Sequence, residues 1–273
     1  MLPPQRVACR PCRIPSFDMI TRAPRITAVK RNKLIKHFAL DVDATKAAEL
    51  VKVSRPCANR WYRHFRELIY QSTRRAPRFF GEVEMDQSEF GGMGSKRLKA
   101  LLARYKKTLI YEEYQKKARA ARSEHRVLVF GIIQRGGDVY CQIIKKADTD
   151  TLLPIVRLVV EQKSIVYAKG EAKSTSKKKS ENTTIYTDKW RAFIKLGLDG
   201  YTHHSINHSE EYVNQQGHHA NTIEAFWSFA KRRLAKFNGI ARTTLPLHLK
   251  ECEFRFNNKD MAAAMKQLLK NRL

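Results

Sequence analysis

The spacing of apolar positions changes twice along the chain, and each change marks a part. Residues 1–28 show no period; Pro3, Pro4, Pro11, Pro15 and Pro24 interrupt any continuous helix or central strand, which predicts an irregular basic arm. From residue 29 the spacing is helical. Leu34, Ile35 and Phe38 share one stripe, a short helix follows in DATKAAELV, residues 52–54 break it, and a longer helix is predicted from Ser54 to about Ile69. Ser54 suits the N-cap, and Pro56 falls in the first turn, where its missing N–H costs nothing. Trp61, Phe65, Leu68 and Ile69 take the inward face, leaving Arg55, Asn59, Arg60, Arg63 and Arg66 outward. A short helix, a tight turn and a basic second helix have helix-turn-helix spacing, and a small helical bundle with a solvated basic face has the same pattern.

After residue 78 the period falls to two. FFGEVEMD predicts a strand ending at Asp86, with a bend at Gly91 and Gly92, and residues 96–122 follow with a Lys-, Arg- and Ala-rich helical pattern. HRVLVFGII, the turn QRGGD and VYCQIIKK predict a hairpin. TDTLLPIVRLVV fits a helix packed on that sheet, with Pro154 implying either a late start or a kink. The Lys/Ser-rich residues 170–181 form a predicted basic loop. A short strand TIYTD then ends at Asp188, KWRAFIKLGL is a helix with Trp190 and Phe193 toward the core, and THHSINH is another short strand. The amphipathic helix of NTIEAFWSFAKRRLAKF follows, with Asn221 as its predicted N-cap and Glu224 in the position of a capping-box acid.

Charge narrows what these parts serve. Lys and Arg number 53 against 26 Asp and Glu, a net +27, while 42% hydrophobic residues are enough for a core and exclude a disordered basic tail. The excess divides almost equally between residues 1–80 and the remainder, which favours a polyanionic partner over a small acidic substrate. No run of eighteen apolar residues or signal-peptide core is present, so neither a membrane span nor a membrane partner is predicted, and a cytoplasmic location is expected. Five scattered cysteines do not describe a disulfide scaffold, and Cys9-x-x-Cys12 is half of a zinc knuckle without a second CxxC.

Within this basic chain three acids stand at predicted element boundaries: Asp86 and Asp188 at strand ends, Glu224 at a helix start. Aimed at one pocket, their hard oxygens would favour Mg²⁺ or Mn²⁺, and two such ions suit in-line attack on a phosphodiester. Capping is the competing role for Glu224. Lys231 lies two turns further on, along the side that carries Glu224 and Trp227 or Ser228, while Ile223, Phe226, Ala230 and Phe237 supply the buried side. His203, His204, His218 and His219 would suggest zinc only if the carboxylate pattern were absent.

In order along residues 80–258, the blocks GEVEMDQSEFGG, TIYTDKWRAF, SINHSEEYV, NTIEAFWSFAKRRLAKFNG and LPLHLKECEFRFNN resemble the catalytic domain of Merlin-type transposases and their bacterial insertion-sequence relatives in the DDE superfamily. ATKAAELVKVSRPCANRWYRHFREL is similar to the helix-turn-helix that precedes that domain. The resemblance implies an α/β, RNase H-like mixed five-stranded sheet with flanking helices over residues 79–258. The helical module of residues 29–75 would precede it, and a helical tail, residues 259–273, would follow. It implies Asp86, Asp188 and Glu224 as catalytic and metal-binding residues, with Asp188 at the end of the fourth strand. Two Mg²⁺ or Mn²⁺ ions would serve as cofactors. Lys231 and Arg232 would join Arg55, Asn59, Arg60 and Arg63 on DNA, and His208 and Asn221 would support the acids.

Its partners would be double-stranded DNA, as terminal inverted repeats and as target, and further copies of the chain when ends are paired; no small-molecule substrate is implied. A helix-turn-helix regulator without catalysis, or a nuclease of the same fold, would share the charge and the elements.

Overall fold

The computed structural model describes residues 22–91, 126–161, 165–168, 185–187, 203–205 and 221–270, with Ala103, Glu113 and Lys116 as isolated helical positions. The predicted loop 170–181, the Cys9 and Cys12 pair, Asp188, Trp190, Phe193, His208, His218 and His219 lie outside these residues, as does most of the predicted helix 96–122. The chain divides into two units, Met1–Arg74 with Ala241–Glu251 and Asp260–Leu273, and Arg75–Ile240 with Cys252–Lys259.

In the first unit α1 (Ala28–Ala39), α2 (Ala44–Val51) and α3 (Arg55–Ser72) follow the predicted pattern. Each helix starts on a side chain that accepts a backbone N–H: Thr27, Asp43 and Ser54. Between α2 and α3 the chain reverses at Lys52, whose φ of 57° closes α2 in the left-handed conformation. Phe38 inserts between Tyr62 and Phe65, ring centroids 5.0 and 5.2 Å away, and Trp61, Leu68 and Ile69 are buried as predicted. Helix α7 (Met261–Lys270) packs against α1 and α3 and buries Met261 and Met265, so residues near the C-terminus complete the core of this helical unit.

The second unit is mixed α/β. Strands β1 (Glu82–Gly91), β2 (Arg126–Gln134), β3 (Val139–Ile144), β4 (Ile165–Ala168), β5 (Ile185–Thr187) and β6 (His203–Ser205) form a six-stranded sheet in the order β3-β2-β1-β4-β6-β5. The first three are antiparallel neighbours and the rest pair in parallel. The sheet therefore has one strand more than the predicted five. The addition, β4, is a β-branched and aromatic run, IVYA, that sits beside β1.

Helix α4 (Thr149–Val159) covers one face of the sheet, packing Leu152, Ile155 and Val156 on Val83, Met85, Phe130 and Ile132. It starts at Thr149 despite Pro154, which is exposed, so the carbonyl it leaves without a helical donor is on the solvent side. Its N-cap is Asp148, which accepts the Thr151 N–H at 3.0 Å; hydrogen bonds from the Thr151 side chain and then from its N–H hold the Asp148 carboxyl below its ordinary range.

On the opposite face lies α5 (Asn221–Ala235), burying Ile223, Phe226, Trp227 and Ala230. Helix α6 (Leu245–Asn257) contributes its second half to this unit and closes the β3 edge. The Asn257 side chain accepts the Val139 N–H at 2.9 Å and donates to the Val139 carbonyl at 2.8 Å, and one turn earlier Glu253 accepts the Cys141 N–H at 2.8 Å. Two side chains thus occupy backbone groups that would otherwise invite another strand.

Candidate active site

Asp86 sits within β1, not at its end. The predicted strand stopped at this residue, but alternation continues through Ser88 and Phe90, and the ladder with β2 runs to Gly91. On the other side the parallel pairing with β4 reaches only Met85, opposite Ala168. Asp86 is therefore in the middle of an antiparallel ladder and just past the end of a parallel one. The carboxyl ends of parallel strands are where open α/β sheets form clefts.

Register carries that edge across the sheet. Met85 pairs with Ala168, Ala168 with Ser205 and Ser205 with Thr187, so all four lie in one row. Asp188 follows Thr187 in the sequence and lies outside the described residues; β5 is last in the hydrogen-bonded order, yet its Cα atoms come within 8 Å of β1.

Glu82, Glu84 and Asp86 alternate with the inward apolar residues and so share the face of β1 that α5 covers. Glu84 is 1% exposed. Its Oε2 accepts the backbone N–H groups of Thr222 and Ile223, at 3.0 and 2.9 Å, and its Oε1 accepts Arg135 Nε at 3.0 Å. These N–H groups are among those that the first turn of a helix leaves unpaired, and they carry the positive end of its dipole. A carboxylate from β1 thus fixes the start of α5. Arg135, from the β2–β3 turn, also donates to Glu82 at 2.9 Å.

One turn along α5, Trp227 Nε1 donates to Asp86 Oδ2 at 3.1 Å. Glu224 lies between these two attachments, three residues before Trp227, and is exposed. The sheet thus brings Asp86 and the helix start that carries Glu224 together. Both Lys231 and Arg232 are exposed, and the Lys231 ammonium lies 5.9 Å from the Phe90 ring centroid. For Asn221 only the backbone, at the start of α5, is described.

Gly131 makes the tryptophan contact possible. It pairs with Asp86 across the ladder, and a Cβ there would lie 2.5 Å from Trp227 Cζ2 and 3.1 Å from Ile223 Cδ1. Gly131→Ala is expected to cost about 1–3 kcal/mol through overpacking, since a fused ring cannot bend aside. Thermal unfolding checks this, and an unchanged melting temperature would show that the ring does not rest on Gly131.

Sequence patterning did not select Glu84, Trp227 or Gly131. A glycine inside an otherwise β-branched strand was the signal for close approach by another element. For Trp227, the predicted charged side of the helix was drawn too wide, since Trp227 is 4% exposed and belongs with the buried side.

Hard oxygens on Asp86 and Glu224 fit a divalent cation such as Mg²⁺ or Mn²⁺. Among the described residues, no three His, Cys, Asp or Glu side chains are grouped to hold a metal ion.

In the helical unit Arg55, Asn59 and Arg60 are exposed on the first turns of α3. Arg63 is also exposed, with its Nε donating to the buried Glu67 at 2.8 Å. Arg66, predicted outward, is instead turned in: its side chain is 13% exposed, pairs with the fully buried Glu251 at 2.7 Å and lies over the Phe38 ring. Its helical direction borders the apolar face, and a distant acid on α6 supplies the partner. Among the described residues, no helix is long and apolar enough to cross a membrane.

Residues 172–257 match the family model of the ISXO2-like transposase domain. The chain is 37% identical over 138 residues to an uncharacterized transposase-like protein of Haemophilus influenzae; the alignment covers 50% of this chain and 96% of that protein.

Proposed function

Because the chain belongs to the family of ISXO2-like transposases, we propose that it is a DDE transposase that cleaves DNA at transposon ends and joins the freed 3′-hydroxyl to target DNA. The hydrogen bond from Trp227 on α5 to Asp86 on β1 carries this reading, because it ties the helix of one proposed catalytic acid to the side chain of another. Asp86, Asp188 and Glu224 would hold divalent cations, in an RNase H-like arrangement of the Merlin type. Bound cations would offset the negative charge that develops on the phosphoryl and leaving oxygens and favour ionisation of an attacking water. Residues of β5, the strand that Asp188 follows in sequence, come within 8 Å (Cα–Cα) of β1, which supports a centre shared by Asp86 and Asp188.

The protein's own groups do the positioning. Lys231 and Arg232 would hold the phosphates of the cleaved strand, while Arg55, Asn59, Arg60 and Arg63 on α3 would read the terminal inverted repeat. In the first step water attacks the phosphorus at the transposon boundary and a 3′-hydroxyl leaves. In the second that hydroxyl attacks a target phosphodiester and displaces the target's 3′-oxygen, so bonds broken and formed balance and no external energy source is needed. Pairing two ends calls for more than one copy of the chain.

The test is incubation of the full chain with labelled duplexes from the flanks of its coding sequence, in Mg²⁺ and in EDTA. A 3′-end nick and a strand-transfer product in Mg²⁺ alone are expected. Specific retention of the duplex without metal-dependent cleavage would instead identify a regulator. Cutting of branched DNA with neither end specificity nor joining would identify a nuclease.

A further inference from the structure

We propose that Trp227 is a positioning residue for metal binding: its indole N–H holds one oxygen of Asp86 and so sets the direction in which the carboxylate is offered to a divalent cation. This rests on the catalytic role of Asp86 proposed above. The geometry is specific. Nε1 approaches Oδ2 at 3.1 Å, so the indole engages one named oxygen of the carboxylate. The ring cannot drift, because it lies against the bare backbone of Gly131 and between Phe90 and Phe226, with centroids 5.8 and 5.0 Å away.

Burial of an indole does not by itself explain the contact. In the helical unit the buried Trp61 Nε1 has no hydrogen-bond partner among the described residues. At position 227 the N–H is instead directed at a partly buried carboxylate beside the end of a parallel ladder. A neutral acceptor would satisfy the donor with less desolvation. A carboxylate steered from behind is what a cation site requires, since outer partners that orient a ligand typically change metal affinity or activity 10- to 100-fold.

The test measures Mn²⁺ binding by the full chain, with end DNA present, through loss of the free-ion EPR signal. Wild type, Asp86→Asn and Trp227→Phe are compared with a protein carrying 3-benzothienylalanine at position 227. That residue keeps the fused ring and replaces N–H by sulfur, so packing and folding are preserved where Phe could fail to fill the site. The expected result is an Mn²⁺ midpoint raised about tenfold by the sulfur isostere and by Phe, with the same rise in the Mg²⁺ midpoint for cleavage and an unchanged melting temperature for the isostere. A wild-type midpoint in the isostere would overturn the positioning role while leaving the catalytic reading intact. Wild-type protein that binds no more Mn²⁺ than Asp86→Asn would overturn both.

Discussion

Glu84→Ala is expected to destabilise the α/β unit by about 3–5 kcal/mol. Three hydrogen bonds end on this side chain, and at 1% exposure water cannot replace it. Two of the donors are backbone N–H groups at the start of α5, each costing about 1–3 kcal/mol if left buried and unpaired. The third is Arg135, which keeps Glu82 and is itself 22% exposed, so its loss is smaller than that of a stranded buried charge. For a unit of this size the sum lowers the melting temperature by roughly 10 °C. Glu84→Gln, which retains one acceptor oxygen, should lose about half as much. Because α5 would lose its anchor beside Asp86, cleavage by Glu84→Ala should fall well below what the folded fraction accounts for. A loss under 1 kcal/mol in chemical denaturation would show that α5 is held by its apolar face alone.

The same residue shows what the sequence could and could not convey. GEVEMD places three acids at alternate positions, hence on one face, and that much is legible from period-two spacing. Which of them is buried depends on a helix start 138 residues away, and no local pattern encodes that pairing. The hairpin, the helix-turn-helix spacing and the cap at Ser54 were legible because each is a local decision of turn chemistry or period. Arg66 was misplaced for the reason that hid Glu84: an i, i+3, i+4 pattern assigns an amphipathic cation outward unless a distant acid is known to meet it, and Glu251 is 185 residues away. The end of β1 was misplaced because its two neighbours stop at different points. Sequence alternation could follow the long antiparallel ladder but carried no sign of the short parallel one.

Asp86→Asn is expected to abolish cleavage, by a factor on the order of 10³ or more, and to leave the fold intact. The two halves of this expectation separate charge from shape. An asparagine can turn its carbonyl oxygen toward Trp227 Nε1, so the strand-to-helix hydrogen bond that Asp86 accepts at 3.1 Å survives in neutral form, and the strand ladder around Gly131 is undisturbed. Stability should therefore move by less than about 1 kcal/mol, the usual net worth of one hydrogen bond. The lost negative charge and hard-oxygen donor cannot be replaced, because an amide is a weak ligand for Mg²⁺ or Mn²⁺. If the carboxylate helps to hold a cation against the phosphate, several kcal/mol of transition-state stabilisation go with it, and each 1.36 kcal/mol is tenfold in rate. Single-turnover cleavage of labelled ends, set beside the melting temperature of the same preparation, reads both quantities. Cleavage at the wild-type rate would remove Asp86 from the catalytic set and leave its contact with Trp227 as a packing feature. A large loss of stability would show that Trp227 needs the carboxylate charge to seat α5.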